Sequence, residues 1–147
     1  MPAMQKSGFQ AKTDLAELVQ VLTWFDNFIQ SSLPELTYMQ CQTLLAEGFT
    51  NAVRHAHKHR ASDTPIDIEV QLWNQQVEIR IWDYGQPFDL IQKMKNMPTK
   101  IDPDSVGGRG LKLLEQMAEH LSYFRTEDDR NCLLITKLIP STPDLKI

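Results

Sequence analysis

The feature that most limits how this chain can fold is a change of period near its middle. From Leu36 onward, Cys41, Leu44, Leu45 and Ala52 recur at helical spacing. From Ile66 the period becomes two: Ile66, Ile68, Val70 and Leu72 alternate with Asp67, Glu69 and Gln71. After the polar link "NQQ", Val77, Ile79 and Ile81 alternate with Glu78, Arg80 and Trp82, up to Asp83. Such alternation sets one face of a strand on a core and the other toward water, and the short link makes the two runs an antiparallel hairpin. The apolar stripe of the helical segment needs that same core. The pattern predicts an α+β fold, a mainly antiparallel sheet covered by helices.

Flanking segments extend this reading. Asp14 is a plausible N-cap, and Leu15, Leu18, Val19, Leu22, Phe25 and Ile29 follow at helical spacing until Pro34. Residues Tyr84 to Gly107 carry three prolines and little period, which reads as a lid or binding loop. Leu111, Leu114, Met117 and Ala118 give a short helix, then "LSYFRT" and "CLLITKLI" form two strands across "EDDRN", and the tail after Pro140 is expected to be loose. No repeat or shift of composition divides the 147 residues, so one domain over 1–147 is expected.

Composition narrows the function classes. Hydrophobic residues make up 41% and charged residues 23%, as in an ordinary globular protein. A net charge of −4 argues against nonspecific nucleic-acid binding, which needs clustered Lys and Arg. Cys41 and Cys132 lack metal-type spacing and read as reduced core residues. No apolar run approaches the roughly 20 residues that span a bilayer, and "MPAMQKSGFQ" lacks a signal peptide's apolar core. The cytoplasm is the expected compartment, with no membrane partner.

Three motifs carry candidate chemistry. In "LLAEGFTNAVRHAHKHR", Glu47 and Asn51 stand four apart, on one helical face. A carboxylate can orient or deprotonate a hydroxyl, and an amide oxygen suits Mg²⁺; a solvated pair on an outer face is equally compatible with the spacing. In "WDYGQPFD", Asp83 ends a strand and Gly85 leaves room for a planar ligand, whose amino group an ionised Asp could accept; an ordinary Asp-x-Gly turn has the same residues. In "SVGGRGLKLL", Gly107, Gly108 and Gly110 precede a helix expected near Leu111, whose free N–H groups could cradle phosphate. Glycine hinging or capping is the alternative.

Taken in order, "EGFTNAVRHA", "DYGQPFD" and "GRGL" resemble the N, G1 and G2 boxes of the GHKL ATPase superfamily (gyrase, Hsp90, histidine kinases, MutL). The pattern is most similar to the anti-sigma-factor serine/threonine kinases typified by RsbW and SpoIIAB. The resemblance covers nearly the whole chain and implies a Bergerat-type two-layer sandwich with an ATP lid at about residues 84–109. It implies ATP and Mg²⁺ as ligands, with Glu47 as general base or orienting acid and Asn51 on the metal. Asp83 would bind the adenine amino group, Gly85 would make room for the base, and Phe88 with Asp89 suits the anti-sigma branch. Gly108, Gly110 and Leu111 would shape the phosphate side, with Arg109 as a cation there. The chain departs from the wider superfamily at Pro87, where a second glycine is usual. His55 matches a histidine of the anti-sigma branch and is expected in a structural or phosphate-side role and not as a metal ligand, while His57 and His59 are expected at the surface. The implied partners are a STAS-type anti-sigma-factor antagonist, which is phosphorylated, and a sigma factor or other regulatory protein; a homodimer is compatible. An ATP-binding regulator without kinase activity and a detached histidine-kinase catalytic domain are the competing readings.

Overall fold

The computed structural model describes residues 4–87, 89–95 and 108–140, the side chains at 93–95, 108 and 109 excepted. Of the expected lid, only its beginning, its last two residues and a short helix are therefore described; Phe88, Gly107 and the tail from 141 lie outside.

The alternating runs form the hairpin that their period requires. Strand β2 (Pro65–Leu72) and strand β3 (Gln76–Asp83) have the same burial alternation, with the inward positions at Ile66, Ile68, Val70, Leu72, Val77, Ile79, Ile81 and Asp83. They pair antiparallel with Ile68 opposite Ile81 and Val70 opposite Ile79. Strand β1 (Gln5–Lys12) lies on the outer side of β2, and strands β4 (His120–Arg125) and β5 (Asn131–Leu138) complete a five-stranded antiparallel sheet in the order β1-β2-β3-β5-β4. The second hairpin thus folds back so that its last strand, β5, sits directly against β3, bringing Asn131 opposite Asp83.

Helices α1 (Leu18–Ile29), α2 (Glu35–Asn51), α3 (Leu90–Lys95) and α4 (Gly108–Met117) supply the second layer. Helix α1 buries Val21, Phe25 and Ile29 one turn apart, and α2 buries Cys41, Leu44, Leu45 and Phe49. These side chains meet the apolar sheet face in one cluster. Truncating one of the fully buried residues, such as Phe49 or Ile79, would cost about 2–5 kcal/mol because a cavity adds to the lost transfer energy. Both cysteines are buried and free, and burial first of all raises their thiols, to about 12 for Cys41 and about 11 for Cys132. They are inert core residues.

One expectation is corrected, and one element was missed. Asp14 does cap, accepting from the Ala16 amide, but it caps a 3₁₀ turn at Leu15–Glu17 from which α1 continues. The strand β1 had no signal in the alternation, because only Ala11 is buried along it. It is held by its backbone pairing to β2.

Candidate functional site

Helix α2 carries Glu47 and Asn51 on adjoining turns, and the first turn of α4 packs over them. Gly110 touches the Glu47 carboxylate so closely that a Cβ there would run into Oε2. Glycine normally costs a helix about 1 kcal/mol; at this position it leaves the space that the Glu47 carboxylate occupies. Gly108 and Gly110, expected in a loop before Leu111, therefore belong to the helix itself, which starts at Gly108. Leu111 is 2% exposed and serves both core and site wall. Arg109 stands on the same turn, its side chain outside the described residues.

Asn51 is 8% exposed, and among the described residues its Oδ1 has no hydrogen-bond partner. A buried amide oxygen left without a donor costs about 1–3 kcal/mol. The atom lies at a small niche shared with Glu47, Arg54, His55, Gly110 and Leu111. An oxygen of this kind, next to a carboxylate, is a suitable ligand for a hard cation. Among the described residues no group of three or more His, Cys, Asp or Glu could hold a metal ion, so a cation here would need further oxygens from a ligand.

Beyond Asn51 the helix widens into a π-helical turn, Ala52–Ala56, a form that recurs at functional sites. It breaks the 3.6-residue period, and the residues after it turn differently from what helical spacing predicts. His57, expected at the surface, is 2% exposed: its amide donates five residues back to Ala52 O, and the ring turns inward. His59 is exposed, as expected.

The Asp83 turn packs against this π-helical segment. Asp83 is 2% exposed. Its Oδ1 accepts from the Gly85 amide at 2.8 Å and from Asn131 Nδ2 at 2.9 Å, and its Oδ2 accepts from the Tyr123 hydroxyl at 2.7 Å. Burial, and after it the negative charge of Asp83, raises the Tyr123 phenol well above its ordinary value, so it stays protonated as the donor. A carboxylate has about four acceptor positions, and three donors leave room for one more. Arg125 Nη1 donates to Gly85 O at 3.0 Å, and Arg60 Nη2 donates to Tyr84 O at 2.5 Å. Gly85 is needed for close approach, since a Cβ would lie 2.7 Å from Ala56 O.

Between these two regions opens a cleft of about 390 Å³, lined among others by Asn51, His55, Lys58, Arg60, Gly85 and Tyr123. The volume suits a small-molecule ligand. Its rim carries Lys58 and Arg60, which favour an anionic ligand. The structure brings together Glu47, Asn51, His55, Gly85, Gly110 and Leu111 around the cleft and the adjoining niche. Asp83 reaches the cleft through Gly85 and Tyr123 and does not line it. Tyr123, Arg125, Asn131 and Arg60 were missed by sequence reasoning. For Tyr123, Arg125 and Asn131 the signal is topological: β5 must be known to neighbour β3 before Asn131 can be set beside Asp83.

Residues 11–137 match the histidine kinase-like ATPase domain. The chain belongs to that family. The Serine-protein kinase RsbW of Listeria innocua is 30% identical to it over 100 residues, which are 65% of this chain and 62% of that protein. The chain thus matches less than two thirds of that relative's length. Among solved structures, the RsbU and RsbW domains of a Mycobacterium tuberculosis protein superpose with a TM-score of 0.64 at 13% identity, covering 93% of this chain and 33% of that one. The SiaB-SiaC complex of Pseudomonas aeruginosa gives a TM-score of 0.63 at 12% identity over 90% of this chain and 89% of that one. At those identities the likeness establishes the α+β fold. Among the described residues, no helix of this family member is long and apolar enough to cross a membrane.

Proposed function

We propose that the chain binds Mg-ATP in this cleft and transfers the γ-phosphoryl group to a serine or threonine of a STAS-type anti-sigma-factor antagonist, so regulating a sigma factor by partner switching. The observation that carries the reading is the buried Oδ1 of Asn51, without a hydrogen-bond partner among the described residues, beside Glu47 at the edge of a cleft with a basic rim. The name of the Listeria relative, serine-protein kinase, supports the class of reaction. A solved neighbour that is a two-protein complex supports a protein partner.

In this reading the residues divide by task. Asn51 Oδ1 would hold Mg²⁺, which when bound neutralises charge on the phosphates. The Asp83 turn, with Gly85 and Tyr123, would receive the adenine. His55, Lys58 and Arg60, together with the N-terminal turn of α4 at Gly108–Gly110, would face the phosphates, where backbone N–H groups favour anions. The resemblance assigns Arg109 and Phe88 to the same ligand. Glu47 would orient the attacking hydroxyl and take its proton, a task whose effect belongs to the transition state. Adding about two negative charges to the partner would then disfavour its rebinding.

The test is a single-turnover assay of the full chain with ATP and a STAS-type substrate, with the phosphorylated residue typed by acid stability. Acid-stable phosphoserine or phosphothreonine is the expected product. Acid-labile phosphohistidine would replace the proposal by a histidine-kinase reading, and ATP binding without transfer to any partner would leave a nucleotide-binding regulator.

A further inference from the structure

His57 follows the N-box stretch Glu47–Ala56 and lines neither the cleft nor the niche, yet its ring is buried behind the Asp83–Gly85 turn. Its Nδ1 lies 2.7 Å from Thr13 Oγ1, and its Nε2 accepts from the Tyr84 amide at 2.8 Å. The tautomer follows from the partners. The Thr13 hydroxyl donates its one hydrogen to Thr64 O at 2.7 Å, so Nδ1 must be the donor toward Thr13 Oγ1. Nε2 is then the bare nitrogen that the Tyr84 amide needs. The chain Thr64–Thr13–His57–Tyr84 runs from the end of β1, through the segment after the π-helical turn, into the middle of the Asp83–Gly85 turn. It closes a clamp whose other members are Arg60 on Tyr84 O, Arg125 on Gly85 O and Asn131 on Asp83.

We propose that His57 is a positioning residue for nucleotide binding: as the neutral, Nδ1-protonated ring it holds the Tyr84 amide and sets the Asp83–Gly85 turn, and its protonation releases that turn. The inference rests on the nucleotide reading of the cleft. Protonation puts a second N–H on Nε2, facing the Tyr84 N–H donor to donor, and the bond cannot persist. The groups that act on the ring's charge are few. Burial lowers its pKa most, Asp83 at the end of β3 opposes that, and Arg60 lowers it further, for a net shift below 6.5. From the end of β1 and the loop before β2 its contacts are the hydroxyl of Thr13 and, through it, the carbonyl of Thr64. A histidine whose folded value is depressed contributes stability that is complete above its unfolded value, near 6.5, and is lost as pH falls through the folded value. Nucleotide affinity is expected to fall in the same window, below pH 6.5.

The test uses the full chain and two readouts. Amide and histidine ring resonances are followed by NMR from about pH 8 to about pH 5, and ATP affinity is measured by calorimetry at each pH for wild type and His57→Gln. Glutamine cannot titrate. Comparing the two proteins also removes the pH dependence of ATP itself and of His55 and His59, which line the cleft. The expected result is that the Tyr84 amide moves with the His57 ring, and that wild type binds ATP about two- to tenfold more tightly than His57→Gln near pH 8, an advantage that vanishes on acidification. Thr13→Val should weaken ATP near pH 8, because Nδ1 loses its acceptor, whereas Thr13→Ser restores it. If His57→Gln does not fold, the wild-type titration and the Thr13 pair decide alone. A Tyr84 amide indifferent to His57, or an affinity ratio that stays constant with pH, overturns the inference. Absence of ATP binding at every pH, with the Tyr84 amide still following His57, removes the nucleotide assignment and keeps His57 as the anchor of the turn.

Discussion

Asn51 lines the cleft and Asn131 stands behind it against the Asp83 turn, at 8% and 2% exposure. Asn131 Nδ2 donates to Asp83 Oδ1 at 2.9 Å and lies 3.2 Å from the carbonyls of Gly85 and Gln86, while its oxygen accepts from Arg125. Asn51 Oδ1 accepts from nothing among the described residues. One side of the site is thus internally satisfied and the other holds an open valence. In the proposed reading the two sides have different work: the Asp83 turn is built before any ligand arrives, and the face formed by α2 and α4 would be completed by one. A pre-set turn limits the ordering that binding would otherwise require, and a buried acceptor left open returns its cost when a cation meets it.

The largest effect is expected where the proposed function puts the chemistry, on the open side. Glu47→Gln keeps the size of the side chain and removes its basicity. Phosphoryl transfer should fall about 10²- to 10⁴-fold with ATP affinity nearly unchanged. Single-turnover kinetics beside an ATP titration measure both. Transfer at the wild-type rate would remove Glu47 from the mechanism, and loss of ATP binding would place it with Asn51 as part of the ligand cage.

Gly110→Ala probes the same side by geometry. The added methyl would occupy the space of Glu47 Oε2, so either α4 lifts or the carboxylate turns away. A shift near 1 Å can cost about 10²-fold in rate, and here ATP affinity should fall as well, because the first turn of α4 moves with it. The joint loss separates this variant from Glu47→Gln. Wild-type transfer and binding in Gly110→Ala would show that the contact has no bearing on the reaction.

What was legible in the sequence follows the same division. The hairpin β2–β3 was readable because each strand buries every second residue, and the pair Glu47 and Asn51 because four residues bring side chains to one helical face. Two kinds of information were not local. The clamp on the Asp83 turn comes from Arg125 and Asn131, more than 40 positions away and adjacent only through the order of the strands. His57 turned inward because a π-helical turn interrupted the period on which its placement at the surface was reckoned. The start of α4 was set three residues late, since glycine argues for a loop unless the neighbouring helix is known to exclude a Cβ. The strand β1 was silent because its only buried side chain is Ala11.

A smaller effect is expected on the satisfied side. In Asp83→Asn the new amide nitrogen is a donor, and it must face Tyr123 or the pair Gly85 and Asn131, each of which already donates. The turn loses a charged hydrogen bond, worth about 1.5–3 kcal/mol. ATP affinity should weaken accordingly, and discrimination against GTP should fall. Calorimetry with both nucleotides checks this; unchanged values for both would show that the turn does not read the base.

The smallest change, and the sharpest comparison, comes from truncating each asparagine in the protein without ligand. Asn131→Ala removes the donor shared by Asp83 Oδ1 and the carbonyls of Gly85 and Gln86; Asp83 Oδ1 keeps the Gly85 amide and Gly85 O keeps Arg125, so the cost is that of the lost hydrogen bonds, about 0.5–1.5 kcal/mol each. Asn51→Ala removes an oxygen that has no partner to lose among the described residues, and alanine is the better helix former by up to about 0.7 kcal/mol. Urea unfolding of the free protein should therefore show Asn131→Ala clearly destabilised and Asn51→Ala unchanged or slightly stabilised. With Mg-ATP the order of interest reverses: stabilisation by the ligand, which follows its affinity, should drop in Asn51→Ala through loss of the metal ligand. If Asn51→Ala unfolds as readily as Asn131→Ala without ligand, its oxygen has a partner in solution and the two sides of the cleft are alike. If it also keeps the full shift on adding Mg-ATP, Asn51 holds no metal.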